Sequence, residues 1–198
     1  MVKLSNETKV RHMYRNSTDK RVIHSAEALY NAVLELMDEK EFDKIGIKEV
    51  CEKAGIGRAT FYRNFDYVDD ILRFATNQHF EQLHEATCNM APDIDTSAEI
   101  KIFFDFWVAR GDLLNALYKA HRWQIFGEMF FAASQIKMQE KLERFGLNEV
   151  QYVYFHNSIQ LSISTTLHTW LERNRKESSD DLVKLFELPF EMFAKMKS

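Results

Sequence analysis

The stretch FDKIGIKEVCEKAGIGRATFYRNF, residues 42–65, decides how the rest of the chain is read. Ile47, Val50, Cys51 and Ala54 fall at i, i+3, i+4 and i+7, which lines four apolar side chains along one face of a short helix. Gly55 follows where a helix C-terminus favours a left-handed residue, and Ile56 and Gly57 complete a tight turn. A second short helix then begins near Arg58 and ends about Phe65. An advance of about 100° per residue puts Phe61 and Phe65 on its inner side and Ala59 and Arg63 nearly opposite, with Thr60 and Tyr62 on the flanks. Short helix, glycine turn, short helix is the spacing of a helix-turn-helix, whose second helix keeps one face free for the major groove. That free face has suitable chemistry: Arg58 or Arg63 can pair with guanine, and the methyl of Ala59 or Thr60 can meet thymine.

Working outward, a longer helix precedes this pair, from about Thr18 to Glu39, with Val22, Ala26, Leu29, Tyr30, Val33, Leu34 and Met37 as its apolar stripe. A fourth helix starts after Asp66 and reaches about Cys88, with Asp69 and Asp70 near the positive end of its dipole. Asn89–Asp95, which holds Pro92, marks a boundary. Thr96 and Glu99 have capping-box spacing and open a fifth helix to about Arg110. Gly111 and Asp112 break it, and Leu113–Ala120 forms a sixth. One long segment, His121 to Phe145, follows and ends at Gly146; Asn148 and Gln151 then start a helix to about Arg173. The last helix covers about Ser179 to Lys197, and Pro189 inside it should kink or split it. The expected fold is all-α, about nine helices. Residues 1–66 are expected to form a three-helix DNA-binding domain and residues 67–198 a second helical domain, with helix 4 (about 67–88) connecting them.

Composition supports that reading. Only 6 Gly and 2 Pro occur in 198 residues, and 45% of residues are apolar, which suits a helical chain with short connections and a proper core. Cys51 and Cys88 show no paired spacing, so neither a disulfide framework nor a thiolate metal site is expected. No run approaches the roughly 18–20 apolar residues of a membrane span, and the N-terminus lacks the apolar middle of a secretory signal. A cytoplasmic protein is expected. The net charge of −4 is uneven: residues 1–65 carry +2 and residues 66–198 carry −6. Residues 1–24 alone hold six basic and two acidic side chains, an arm able to attract phosphates.

Residues 42–65 also resemble the signature of the TetR/AcrR family of regulators, in the same order: an aromatic, a branched helix-2 start, Ala-Gly at the turn, a basic residue and the FYRNF ending. The likeness extends over about residues 18–72. It implies a phosphate contact at Tyr62 and a recognition surface of Arg58, Ala59, Thr60, Arg63 and Asn64. It further implies phosphate contacts near Lys20 and Arg21, and at Gly46, Ile47 and Lys48. Two positions depart from the pattern. Gly46 stands where the family usually has a hydroxyl residue that caps helix 2 and touches phosphate, and Gly57 replaces the usual serine at the cap of the recognition helix. Glycine costs only a few tenths of a kcal/mol as a cap, so the fold tolerates both changes.

The resemblance implies a homodimer that binds a palindromic double-stranded DNA operator and is released, as a repressor, by a small effector. Of 16 Phe, 13 follow residue 66, together with all three Trp. Trp107, Tyr118, His121, Trp123, Phe126, Phe130 and His156 bring polar tips into this aromatic stretch and are the candidate lining for a small apolar or aromatic effector. Tyr154, Ile159, Ile163, Leu167 and Trp170 in the eighth helix, and Leu182, Phe186 and Phe190 in the ninth, exceed what one thin layer buries; a two-fold pairing would cover them. His79 and His84 are five apart and share no helix face, so neither a metal nor any other cofactor is expected. No nucleophile elbow or phosphate-cradling glycine loop occurs, so no enzyme is expected. A second reading keeps the fold but has the chain act as a co-regulator through a protein partner, without its own operator; the Gly46 departure motivates it.

Overall fold

The structure, a computed structural model, describes residues 20–88, 96–134 and 138–196. The start of the basic arm, up to residue 19, and the Asn89–Asp95 boundary lie outside the described residues. Ten α-helices and no strand occur among them. The chain divides into two compact units, Met1–Asn77 and Gln78–Ser198.

The first unit holds α1 (Lys20–Glu39), α2 (Ile47–Ala54), α3 (Arg58–Asn64) and the start of α4 (Val68–Thr87), with a 3-10 turn at Phe42–Lys44 between α1 and α2. α2 spans the residues that its i, i+3, i+4, i+7 pattern demands. It ends where Gly55, at φ 66°, lets Ile56 N–H reach the Cys51 carbonyl at 2.9 Å. α1 packs on α2 and buries Ala26, Leu29, Ala32, Val33 and Leu36. The expected stripe was therefore rotated slightly, since Val22, Tyr30, Leu34 and Met37 are only half-buried while Ala32 and Leu36 turn inward. Phe42, Ile45, Val50, Cys51, Phe61, Phe65, Ile71, Leu72 and Phe74 complete the core. Burial pushes the Cys51 thiol above its ordinary value.

The second unit takes the rest of α4, then α5 (Thr96–Val108), α6 (Gly111–Lys119), α7 (Trp123–Ser134), α8 (Met138–Phe145), α9 (Glu149–Glu172) and α10 (Ser179–Met196). α10 packs along α5 and α9, and α9 also packs on α6 and α7. The expected single segment from His121 to Phe145 is two helices. The expected break between the fifth and sixth helices falls at Ala109 and Arg110, two residues early, and Gly111 opens α6 with Arg110 as the capping residue. A side chain there would meet Trp170 Cη2 at 3.2 Å and Arg175 Nη1 at 2.9 Å, so the glycine permits a close approach between α6 and the end of α9. α10 runs through Pro189 as one helix, although Pro189 has no N–H for the carbonyl one turn back.

α7 and α9 meet in an antiparallel ladder. Phe131 packs its ring at 6.3 Å from His156, Gln160 Nε2 donates to the Gly127 carbonyl at 3.2 Å, and Trp123 Nε1 donates to Ser164 Oγ at 3.0 Å. Each step is one helical turn on both strands of the pair, which places hydrogen-bonding side chains along one face of α9.

Candidate functional site

α3 has seven residues, too few for a helix to hold itself in water, so its place depends on anchors. Phe61 and Phe65 supply them, 0% and 1% exposed, with ring centroids 5.6 Å apart and Phe74 6.1 Å beyond Phe65. With those two turned in, Arg58, Ala59, Tyr62 and Arg63 are exposed and Thr60 and Asn64 half-buried. Asn64 Nδ2 donates to the Thr60 carbonyl at 3.0 Å, which engages part of its amide. The helix starts from Gly57, whose carbonyl accepts from Thr60 and Phe61 N–H.

The basic residues of this unit are not equivalent. Lys53 Nζ reaches Glu39 at 2.7 Å and Glu35 at 3.4 Å, Lys44 reaches Glu41 at 2.8 Å, and Lys40 reaches Glu49 at 2.5 Å. Lys48 stands 3.8 Å from Glu52, a loose and exposed pair. Arg58 and Arg63 form no ion pair among the described residues. Two uncommitted cations therefore stand on the outer face of α3.

Gly46 is exposed, Ile47 half-buried and Lys48 exposed at the start of α2. The missing hydroxyl cap has a substitute: Glu49 Oε2 accepts from Gly46 N–H at 3.0 Å, while Oε1 accepts from Lys40. The Lys40 hydrogen bond, then that of Gly46, holds the Glu49 carboxyl below its ordinary value of 4.5. Gly46-x-x-Glu49 carried half of a capping-box signal, which sequence reasoning passed over for want of a Ser or Thr partner. Arg21 is exposed on the first turn of α1, and Lys20 opens that helix. At the start of α4, the Asp70 carboxylate accepts from the N–H groups of Asp66 and Tyr67, both at 2.9 Å.

The candidate effector residues fall into separate groups in the second unit. Trp107 and Phe126 are fully buried with rings 4.9 Å apart, and half-buried Phe130 lies 6.0 Å from Phe126. Trp123 stacks on Phe126 at 5.1 Å and meets His168 at 5.3 Å; Tyr118 meets His168 at 5.2 Å from the other side. His156 is buried beside Tyr152. His121 is exposed at φ 53°, where it ends α6 in a left-handed turn, with Arg122 N–H on the Leu117 carbonyl at 2.9 Å. Its role there is to close a helix, which periodicity could not distinguish from a polar tip in an apolar run. The chain reading missed Gln160, Ser164 and His168, whose four-residue spacing from His156 was the available signal.

Of the residues expected at a two-fold contact, Ile163, Leu167, Trp170, Leu182 and Phe186 turn into the protomer's own core. Ile159 is half-buried, and Tyr154 and Phe190 are exposed. Leu161, Leu185, Leu188, Met192 and Phe193 are exposed as well, so α9 and α10 each keep an outer apolar face besides the inner one.

No helix among the described residues is long and apolar enough to cross a membrane. Comparison with curated proteins gives no match. Residues 29–73, from the middle of α1 through α2 and α3 into α4, match the family model described as bacterial regulatory proteins, tetR family. That match likens the segment that holds the anchored α3 to the N-terminal domain of TetR-family regulators, and it supports a DNA-binding transcription regulator.

Proposed function

We propose that this protein is a sequence-specific repressor which binds a palindromic operator as a homodimer and leaves it when a small apolar or aromatic molecule occupies the second unit. The observation that carries the DNA half is the outer face of α3. Arg58, Tyr62 and Arg63 are exposed, and neither arginine is committed to a carboxylate among the described residues. Arg63 reads a base edge, Tyr62 holds a phosphate, and the Ala59 and Thr60 methyls contact thymine. Lys20, Arg21, Gly46, Ile47 and Lys48 flank α3 with phosphate contacts; Asn64 supports the reading helix from its C-terminal turn. The exposed apolar residues of α9 and α10 form the two-fold contact, with Tyr154 and Phe190 in it. The effector acts by differential affinity for the bound and released arrangements, without which it shifts nothing. The protein works in the cytoplasm, where its operator is.

A selected-operator mobility shift at fixed salt tests this. Arg63→Ala should weaken binding by about 1–3 kcal/mol and relax preference at one base pair. Unchanged affinity and selectivity in that variant would remove Arg63 from the recognition face. Failure of the parent to retard any DNA would instead favour the co-regulator reading.

A further inference from the structure

The chain has three tryptophans, and two of their N–H groups are satisfied: Trp123 Nε1 donates to Ser164 Oγ at 3.0 Å, and Trp170 Nε1 to the Glu177 carbonyl at 2.9 Å. Trp107 is the most buried of the three, at 0% exposure, and its Nε1 has no acceptor among the described residues. Its neighbours are rings. Phe80 lies at 4.7 Å, Phe126 at 4.9 Å, Phe106 at 5.5 Å, Phe103 at 6.2 Å and His79 at 6.3 Å. An aromatic face is a weaker acceptor than an oxygen, so this donor is poorly satisfied by its own unit. Buried polar groups in native proteins nearly always have a partner, and an exception points to a missing one. Phe103, Phe106 and His79 are only half-buried, so the cluster around Trp107 reaches the surface of its unit.

We infer that Trp107 Nε1 is the donor that selects the effector, and that the effector is a planar apolar molecule, uncharged, carrying one hydrogen-bond acceptor such as a carbonyl. This rests on the effector reading above and narrows it to a ligand class. The planar body replaces or joins the ring contacts, while the acceptor takes up the indole N–H. A carboxylate is disfavoured, because a single neutral N–H among phenyl rings does not compensate the hydration a charge would lose. The cation at the rim, Arg110, already donates to the Phe106 carbonyl at 3.1 Å and to Gln82 Oε1 at 3.2 Å.

The test uses the full chain without DNA and three probes of similar outline: 2-acetylnaphthalene, 2-ethylnaphthalene and 2-naphthoate. Calorimetry should give the ketone about tenfold tighter binding than either of the others, and Trp107→Phe, which keeps a ring but removes the N–H, should bring ketone and hydrocarbon within about threefold. With indole-¹⁵N labelling, the ketone should move one N–H resonance of the three strongly downfield and the hydrocarbon should not. That measurement needs no variant and stands even if Trp107→Phe is unstable. Equal binding of ketone and hydrocarbon, a naphthoate preference, no binding at all, or a ketone preference that survives Trp107→Phe would each overturn the assignment. A parallel mobility shift with the ketone keeps the two claims apart. Operator release with a preference indifferent to Trp107 refutes only the ligand class, whereas selective binding without release supports the class and refutes the effector role.

Discussion

Phe61 and Tyr62 are consecutive residues on a seven-residue helix, and the structure gives them opposite consequences. Phe61 is 0% exposed and touches Phe65 and Tyr62 with ring centroids 5.6 and 5.4 Å away. Phe61→Ala removes a buried ring for which the surroundings have little means of collapse, a loss of about 3–5 kcal/mol. Stability of a small domain is about 0.05–0.15 kcal/mol per residue, so a loss of that size takes a large part of what this unit has. The same change releases α3, which two phenylalanines hold and its own propensity cannot. Tyr62 is 58% exposed, so Tyr62→Ala should alter stability by no more than about 0.5–1 kcal/mol, the worth of one edge-on ring contact. Urea unfolding followed by far-ultraviolet circular dichroism reads both, and mobility shift of the folded variants reads DNA binding. The expected pattern is a large stability loss for Phe61→Ala and a binding loss without a stability loss for Tyr62→Ala. A Phe61→Ala loss under about 1 kcal/mol, or equal stability losses in the two variants, would refute the anchor argument.

Two further outcomes follow from named contacts. The Glu49 carboxyl is held below 4.5, so its contribution is present above that pH and is lost as pH falls through the depressed folded value; the stability gap between the parent and Glu49→Gln, measured by urea unfolding, should be open near neutral pH and close as pH falls below that depressed value, and a gap independent of pH would refute the cap. Leu161→Asp with Phe193→Asp places charge on the outer faces of α9 and α10, and under the proposed two-fold contact sedimentation should fall from twice 23.4 kDa to 23.4 kDa with helicity retained; a parent already at 23.4 kDa at micromolar concentration would refute that proposal.

The parts of the fold that the residues made legible are those where one local rule acts without competition. The Ile47–Ala54 pattern with Gly55 gave α2 to the residue, and Asn148 with Gln151 gave the start of α9, where Asn148 Oδ1 accepts from Gln151 N–H at 2.9 Å. Gly146, at φ 62°, likewise closes α8 as its position implies. Where two rules compete, sequence misled. Gly111 looked like a breaker because its conformational freedom was visible and the ring of Trp170, which makes a small residue useful there, was not. His121 and Asn174 occupy left-handed turns without glycine, and the expected ends at Ala120 and about Arg173 still fall within one residue of Lys119 and Glu172. α9 is apolar on more than one face, and no single-chain pattern says which of Leu167 and Leu161 turns inward; the former is 0% exposed and the latter 69%. The outward turn of Arg58, Tyr62 and Arg63 was legible because Phe61 and the C-cap Phe65, four residues apart, share the inner side. The Trp107 donor was not, because a missing acceptor is a property of the packed unit.

Charge shows how the local and the global readings come together. A net −4 argues against affinity for a polyanion, and the +2 of residues 1–65 barely reverses it. The ion pairs bear on this, because they spend Lys40, Lys44 and Lys53 on Glu35, Glu39, Glu41 and Glu49, whereas Arg58 and Arg63 stay uncommitted among the described residues. Exposed pairs of this kind add little to stability, so their larger effect is on where positive potential remains. It remains on the outer face of α3, where the proposed function has a base edge read. For the proposed DNA-binding domain, the pairing of Lys40, Lys44 and Lys53 lowers the long-range attraction that the described residues exert on DNA, since each phosphate neutralised adds to the salt dependence. Its affinity must then come from close contacts that form only in register, and such contacts require a rigid α3. The two buried phenylalanines, unexposed and in contact with each other, are what make a helix too short to stand alone rigid enough for that task.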